Sequence, residues 1–243
     1  MEQANGYAAP YWQEGEVRKE VIGNATLYLG DCLEIMARIP AGSVGAVITD
    51  PPYSTPTVAS FGRKMVRRLS DLAIQEFYFS EVKERIARCM KEDAPLLAFC
   101  DDAYYAVLFS LFYDWQQTNL LVWDKGRIGM GNPFRRQHEL IFYANRASLQ
   151  LQDEASHLPT ILKAGINKEF HGAEKPVGLI ERLISGLLPK DATVLDPFMG
   201  SASTGVAALS SGRKFVGCEL DPAYFDVACR RIEDFQRQGR LIA

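Results

Sequence analysis

Short apolar segments alternate with segments of helical periodicity along most of the 243-residue chain. Segments of strand length lie at residues 44–49, 94–100, 119–123, 139–143, 193–195 and 214–219, and residues 21–29 are typical of one strand or a tight hairpin. Helical patterns lie at residues 32–39, 77–90, 104–115, 177–188 and 203–209, and a last helix starts near residue 221. This alternation predicts an α/β doubly wound fold, in which helices cover both faces of a mostly parallel sheet.

The composition is that of a globular protein, with 47% hydrophobic and 23% charged residues, which excludes a disordered or low-complexity chain. No domain boundary stands out, so we expect a single domain over residues 1–243. No apolar run approaches the ~18 residues that cross a bilayer, and the first twenty residues lack the apolar core of a signal peptide. These features predict a cytoplasmic protein with no membrane partner.

The sulfur and imidazole side chains show no metal-binding spacing. The five cysteines are scattered and form no CxxC pair, and the chain has only three histidines. We therefore expect reduced, mostly buried thiols, no disulfide and no metal.

Residues 194–205, VLDPFMGSASTG, lead from a buried strand through a glycine-containing turn into a helix. In open α/β sheets, ligands bind at the carboxyl ends of the strands, and Gly200 and Gly205 are expected to let the backbone approach a ligand closely. The next strand ends at Glu219, where a carboxylate commonly accepts hydrogen bonds from a pair of ribose hydroxyls. Because Asp196 would repel a pyrophosphate, the turn suits a nucleoside with a cationic tail such as S-adenosylmethionine. An ordinary tight strand-to-helix turn is the alternative.

A second turn, Asp50-Pro51-Pro52-Tyr53, follows a short apolar strand. The prolines fix the backbone, so that the Asp50 carboxylate and the Pro51 carbonyl can point into one pocket. Two adjacent acceptors match the two N–H donors of an exocyclic amino group, and Tyr53 offers a flat face on which a planar base can stack. The alternative is a proline-rich turn in which the aspartate is only a cap.

The two turns, in this order, resemble those of the beta class of DNA amino-methyltransferases, which methylate adenine at N6 or cytosine at N4. Residues 171–176, HGAEKP, resemble the HxxxKP segment of that class, and Gly30-Asp31-Cys32 resembles its GD element. The resemblance spans roughly residues 27–231. It implies a Rossmann-like methyltransferase fold with a seven-stranded sheet and a permuted motif order.

The resemblance also implies the roles of individual residues. Glu219 would hold the ribose hydroxyls and Asp31 the adenine amino group of the cofactor, with His171, Lys175 and Ser201 near its methionine end. The alternatives to these two roles are that His171 is a plain loop residue and that Lys175 is a solvated residue at the start of a helix. The implied catalytic residues are Asp50, Pro51, Pro52 and Tyr53. The implied S-adenosylmethionine pocket is formed by Asp31, Cys32, Asp50, His171, Lys175, Asp196, Pro197, Phe198, Gly200, Ser201, Thr204 and Glu219.

Double-stranded DNA is the expected partner, although the net charge is −3. Two segments carry four cations each and no carboxylate, which favours contact with phosphates over scattered surface charge. The first comprises Arg63, Lys64, Arg67 and Arg68, and the second comprises Lys125, Arg127, Arg135 and Arg136. Residues 54–76 and 144–170 are candidate inserts for DNA contact or target recognition, and a homodimer could complete the site.

Adenine-N6 is the favoured target, because cytosine-N4 members of the class more often begin the tetrapeptide with serine. Cytosine-N4 methylation and a catalytically inactive DNA-binding module of the same fold remain the alternatives. The absence of a cysteine beside a proline pair disfavours methylation at cytosine C5.

Overall fold

The computed structural model describes residues 17–52, 72–129, 133–148, 158–165 and 174–242. The strands of the described residues are β1 Arg18–Ile22, β2 Ala25–Leu29, β3 Ala46–Thr49, β4 Leu96–Cys100, β5 Gln117–Asp124, β6 His138–Asn145, β7 Ile161–Lys163, β8 Thr193–Asp196 and β9 Lys214–Glu219. The helices are α1 Cys32–Arg38, α2 Leu72–Cys89, α3 Asp102–Leu111, α4 Val177–Leu187, α5 Ser203–Ser210 and α6 Pro222–Ile242.

All the strands of the described ranges join one sheet in the order β1-β2-β9-β8-β3-β4-β6-β5-β7. The expected α/β fold is confirmed, but the expected count of seven strands is wrong, since this sheet has nine. One additional strand arises because residues 21–29 fall within a hairpin, which turns at Gly23 in the left-handed conformation (φ 58°). The other is β7, whose three residues are too few to show a period in the sequence. Within the 144–170 segment, residues 144–145 belong to β6 and residues 161–163 form β7.

The pairing of the strands brings the carboxyl ends of most of them to one edge of the sheet. The strands β2, β9, β8, β3 and β4 pair in parallel, and β6 is antiparallel to both β4 and β5. The carboxyl ends of β3, β8, β9 and β5 consequently meet at the edge where β6 begins. This is the edge at which open α/β sheets bind ligands.

Helices cover both faces of the sheet and bury a separate apolar core on each. The helices α1, α2 and α3 pack on one face, and α4, α5 and α6 pack on the other. Strand β4 is buried throughout. Its Leu96 and Ala98 belong to the core under α1, α2 and α3, and its Leu97 and Phe99 belong to the core under α4, α5 and α6. Within the described part of the chain, none of the helices is both long and apolar enough to cross a membrane.

Candidate active site

Asp50 and Pro51 follow β3 directly, at the ligand-binding edge of the sheet. The strand is buried along its whole length and pairs with β4 on one side and β8 on the other, so its end is held rigidly. Pro51 is buried, and Asp50 and Pro52 are partly exposed. Tyr53, the last residue of the tetrapeptide, lies outside the described residues.

The two predicted turns lie side by side because a hydrogen bond joins the strands that carry them. The Thr49 hydroxyl at the end of β3 donates to Asp196 Oδ1 at the end of β8, at 2.7 Å. The backbone N–H of Phe198 donates to the same oxygen at 3.1 Å, which folds the second turn back on its strand. Pro51 and Phe198 line the same apolar cavity of about 20 Å³. The turn at residues 50–52, named the catalytic turn after its predicted role, therefore lies beside the turn at residues 196–202, named the cofactor turn in the same way.

Glu219, at the end of β9, fixes the cofactor turn through both of its carboxylate oxygens. Oε2 accepts the backbone N–H of Gly200 at 2.9 Å, and Oε1 accepts that of Asp221 at 2.8 Å. Burial raises the pKa of Glu219, although these backbone hydrogen bonds favour its ionised form. Gly200 is in the left-handed conformation (φ 52°), and a Cβ there would meet no atom of the described residues within 4 Å.

The predicted GD element lies beside this turn. The backbone N–H of Gly30 donates to the carbonyl of Glu219 at 2.8 Å, which ties β2 to β9 at the same edge. The Asp31 carboxylate caps α1 by accepting the backbone N–H of Leu33 at 2.7 Å. Cys32 is buried, with its sulfur 3.5 Å from the hydroxyl oxygen of Tyr78.

Gly205 has a different role from the predicted one. A Cβ at this position would lie 2.8 Å from the ring of Phe215, so the glycine lets α5 pack closely on β9. The expectation that Gly205 admits a ligand is wrong. Two residues of the predicted cofactor pocket, Pro197 and Thr204, are also buried. Thr204 hydrogen-bonds to Asp196.

An arginine from α6 holds the cofactor turn against the segment that precedes α4. Arg231 Nη1 donates to the Ser201 carbonyl and hydroxyl, both at 3.2 Å, and to the Ser203 hydroxyl at 3.1 Å. The other terminal nitrogen of Arg231 forms an ion pair with Glu174. Neither Arg231 nor Glu174 was singled out by sequence reasoning, because no local pattern indicates this contact.

Lys175 is bound to the catalytic turn. Its ammonium donates to Asp50 Oδ2 at 2.5 Å and lies 3.4 Å from Glu139 Oε2. The side chain is only 7% exposed, so the alternative of a solvated helix-start residue is wrong. Burial alone would lower the pKa of Lys175, but Asp50 and Glu139 outweigh burial and raise it. Glu139 is a site residue that sequence reasoning missed.

The predicted DNA-contacting cations divide into two groups. Arg63, Lys64, Arg67 and Arg68 lie outside the described residues, as does His171 of the predicted cofactor pocket. In the other cluster, Lys125 forms an ion pair with Glu139 at 2.5 Å and is mostly buried. Arg127, Arg135 and Arg136 are exposed, and Arg136 pairs with Asp102. The prediction of DNA contact by this cluster therefore depends on its three arginines.

The buried Asp196 carboxyl predicts a pH dependence of stability. Burial raises its pKa to about 7, even though Thr49 and the Phe198 amide hydrogen-bond to the ionised form. An aspartate in the unfolded chain has a pKa of about 4. Between these two values the folded protein binds one more proton, so this group's contribution to the free energy of unfolding falls by about 1.4 kcal/mol per pH unit as the pH rises. Above pH 7 the contribution is lost.

An Asp196→Asn variant tests this effect, because its amide oxygen can still accept from Thr49 and the Phe198 amide but the side chain does not ionise. The altered contact with Thr204 shifts stability equally at every pH. We expect the stability of the variant relative to wild type to increase from about pH 4 to pH 7 and then to level off. Urea unfolding at a series of pH values measures this difference. A difference that does not change with pH would contradict the raised pKa.

Comparison with known proteins identifies the family. Residues 44–230 match the model of the N6/N4 DNA methylases. The chain belongs to this family. It is also 30% identical over 219 residues to an Escherichia coli K12 protein named as a methylase, YubD, and the match covers 86% of this chain and 90% of that protein.

Two solved structures have the same fold as this DNA methyltransferase. The PvuII DNA methyltransferase, which is cytosine-N4-specific, superposes with a TM-score of 0.69 at 18% identity and covers 89% of this chain and 92% of its own. TTHA0409 of Thermus thermophilus, named as a DNA modification methylase and solved with S-adenosylmethionine, gives a TM-score of 0.64 at 22% identity and covers 86% and 95% of the two chains. The predicted resemblance to the beta class of DNA amino-methyltransferases is confirmed.

Proposed function

We propose that this DNA methyltransferase transfers a methyl group to the exocyclic N6 of an adenine flipped out of double-stranded DNA. The observation that carries the proposal is the Thr49–Asp196 hydrogen bond, because it holds the Asp50 turn and the cofactor turn against each other. Adenine is favoured over cytosine because the tetrapeptide begins with Asp50 rather than with serine.

The residues of the cofactor turn fit S-adenosylmethionine. Gly200 lies at the ligand-binding edge, where a Cβ would meet no atom of the described residues within 4 Å, and the buried carboxylate of Glu219 lies beside it as an acceptor for ribose hydroxyls. Phe198 supplies an apolar wall, and Asp31 lies at the end of the neighbouring strand. When bound, the cofactor would supply an electrophilic methyl group on a sulfonium centre, which makes it a methyl donor for an amine nitrogen.

Asp50 and the Pro51 carbonyl would bind the amino group of the target base. Each would accept one of its two N–H groups, which favours a tetrahedral nitrogen with a localised lone pair. Lys175 keeps the Asp50 carboxylate in place before the base arrives, since the side chains are joined at 2.5 Å. The site therefore contributes positioning and charge stabilisation rather than a covalent step.

DNA contact would come from cations on the loops at the same edge. Arg127 and Arg135 are exposed on the loop between β5 and β6, which leaves the sheet at the edge that carries Asp50. We propose a single catalytic domain over residues 1–243. Residues 54–76 would supply the remaining DNA contacts.

The product of the reaction tests the proposal. DNA is incubated with the protein and isotopically labelled S-adenosylmethionine, digested to nucleosides and analysed by mass spectrometry. We expect label in N6-methyldeoxyadenosine, and no label with an Asp50→Ala variant. Label in N4-methyldeoxycytidine would show that the target base is cytosine and not adenine. DNA binding without transfer by the wild-type protein would indicate the inactive module.

A further inference from the structure

Four side chains of alternating charge form a continuous row that ends at the catalytic aspartate. Lys125 Nζ lies 2.5 Å from Glu139 Oε1, and Lys175 Nζ lies 3.4 Å from Glu139 Oε2 and 2.5 Å from Asp50 Oδ2. The residues come from the ends of β5 and β3, the start of β6 and the segment before α4. Four distant parts of the chain thus converge on Asp50.

The row is shielded from water, so its charges act on one another strongly. The side chains of Lys175, Lys125 and Glu139 are 7%, 20% and 25% exposed. The ammonium groups of Lys175 and Lys125 also lie over the rings of Phe99 and Trp123, at 5.4 Å and 5.0 Å. In surroundings of low polarity the balance of charge matters more than it does at the surface.

The two inner members of the row, Glu139 and Lys175, favour each other's charged forms. Burial alone would raise the pKa of Glu139, but Lys175 and Lys125 outweigh burial and lower it. The pKa of Lys175 is raised by Asp50 and Glu139 in spite of burial, as described above. The row as a whole alternates two lysine ammonium groups with two carboxylates, so its formal charge is zero.

This balance bears on the chemistry proposed for Asp50. The target nitrogen becomes positively charged as it accepts the methyl group, and the ammonium of Lys175, bound to the same carboxylate, opposes that charge. Glu139 contacts the same ammonium and offsets it. The attraction of Glu139, 3.4 Å away, also weakens the hold of the Lys175 ammonium on Asp50, which leaves Asp50 better able to accept the N–H of the base.

We propose that Glu139 is a positioning residue for methyl transfer. Glu139 acts through Lys175: it balances the charge of the lysine and limits the hold of the lysine on Asp50. The inference depends on the proposed role of Asp50 as the acceptor for the target amine. Glu139 itself need not touch the substrate or the cofactor.

A Glu139→Gln variant tests the proposal, because glutamine has the same shape and still accepts hydrogen bonds but carries no charge. We expect the single-turnover rate at saturating DNA and S-adenosylmethionine to fall about tenfold or more. The dissociation constant for S-adenosylmethionine and the KM for DNA should change by less than about threefold, since the lost interaction acts mainly in the transition state. An Asp234→Asn variant, which removes an exposed ion pair with Arg237 on α6, serves as the matched control.

A second substitution separates charge balance from simple packing. In a Lys125→Gln/Glu139→Gln double variant, only Lys175 and Asp50 remain charged and the row is neutral again. We expect this double variant to recover at least about a third of the wild-type rate. It can also be compared directly with wild type if the single variant does not fold.

The outcomes are distinct. A slow Glu139→Gln variant with normal binding, and a faster double variant, would support the proposal. A wild-type rate in Glu139→Gln, an equally slow double variant, or a rate loss that follows weaker cofactor binding would each overturn it. Because the wild-type protein and its labelled product are measured in the same assay, absence of all transfer would instead refute the proposed function.

Discussion

An Asp50→Ala variant is expected to transfer methyl groups at least about 10³-fold more slowly than the wild-type protein. The substitution removes the proposed acceptor for one N–H of the target amine, because alanine has no side-chain oxygen. It also removes from the buried ammonium of Lys175 the carboxylate that binds it at 2.5 Å, so that Glu139, at 3.4 Å, is its nearest counter-charge among the described ion pairs. Single-turnover transfer of label to DNA measures the effect.

The same preparation provides the control. The affinity for S-adenosylmethionine should fall much less than the rate, because the Gly200 turn and its hydrogen bond to Glu219 remain intact. An Asp50→Asn variant keeps one acceptor oxygen and should retain an intermediate rate. Transfer at the wild-type rate by Asp50→Ala would remove this residue from the mechanism, whatever its effect on cofactor binding.

A Glu219→Ala variant is expected to raise the dissociation constant for S-adenosylmethionine by about 10- to 100-fold. The alanine removes the predicted acceptor for the ribose hydroxyls, and a hydrogen bond to a charged group contributes about 1.5–3 kcal/mol. It also frees the backbone N–H groups of Gly200 and Asp221, which Glu219 binds at 2.9 Å and 2.8 Å. Isothermal titration with the cofactor measures the change directly.

A Glu219→Gln variant separates these two contributions. Its amide oxygen can still accept one backbone N–H, so the turn should be less disturbed than in Glu219→Ala, and the loss of affinity should be smaller. Glu20→Gln, an exposed substitution on β1, provides a control for loss of a surface carboxylate. An unchanged dissociation constant in Glu219→Ala would show that the ribose is held elsewhere.

The sequence predicted the framework of the fold well where strands were continuous and apolar. Strand β9 lies at residues 214–219 as expected, and β3 and β8 differ from the prediction by one or two residues. The helix expected at residues 77–90 begins instead at Leu72, because its first turns contain polar residues that hide the period. Strand β7 has only three residues, and its pairing with β5 is a tertiary contact with no local signal.

The candidate site was predictable where backbone geometry depends on adjacent residues. The proline pair after β3 and the glycine turn after β8 are motifs of this kind. The side chains that connect them are not, because a single glutamate such as Glu139 looks the same in the sequence whether it faces water or a buried lysine 36 positions away. Arg231 was missed for the same reason, since its partners become neighbours only after the chain has folded.

The reach of Arg231 has a consequence for the order in which the protein can mature. This residue comes from α6, which follows every strand of the described sheet, yet it contacts Ser201, Ser203 and Glu174 around the cofactor turn. Strands β3 and β8 precede α6 in the sequence and pair without its help. The packing around this turn is therefore completed only once α6 has docked on the sheet.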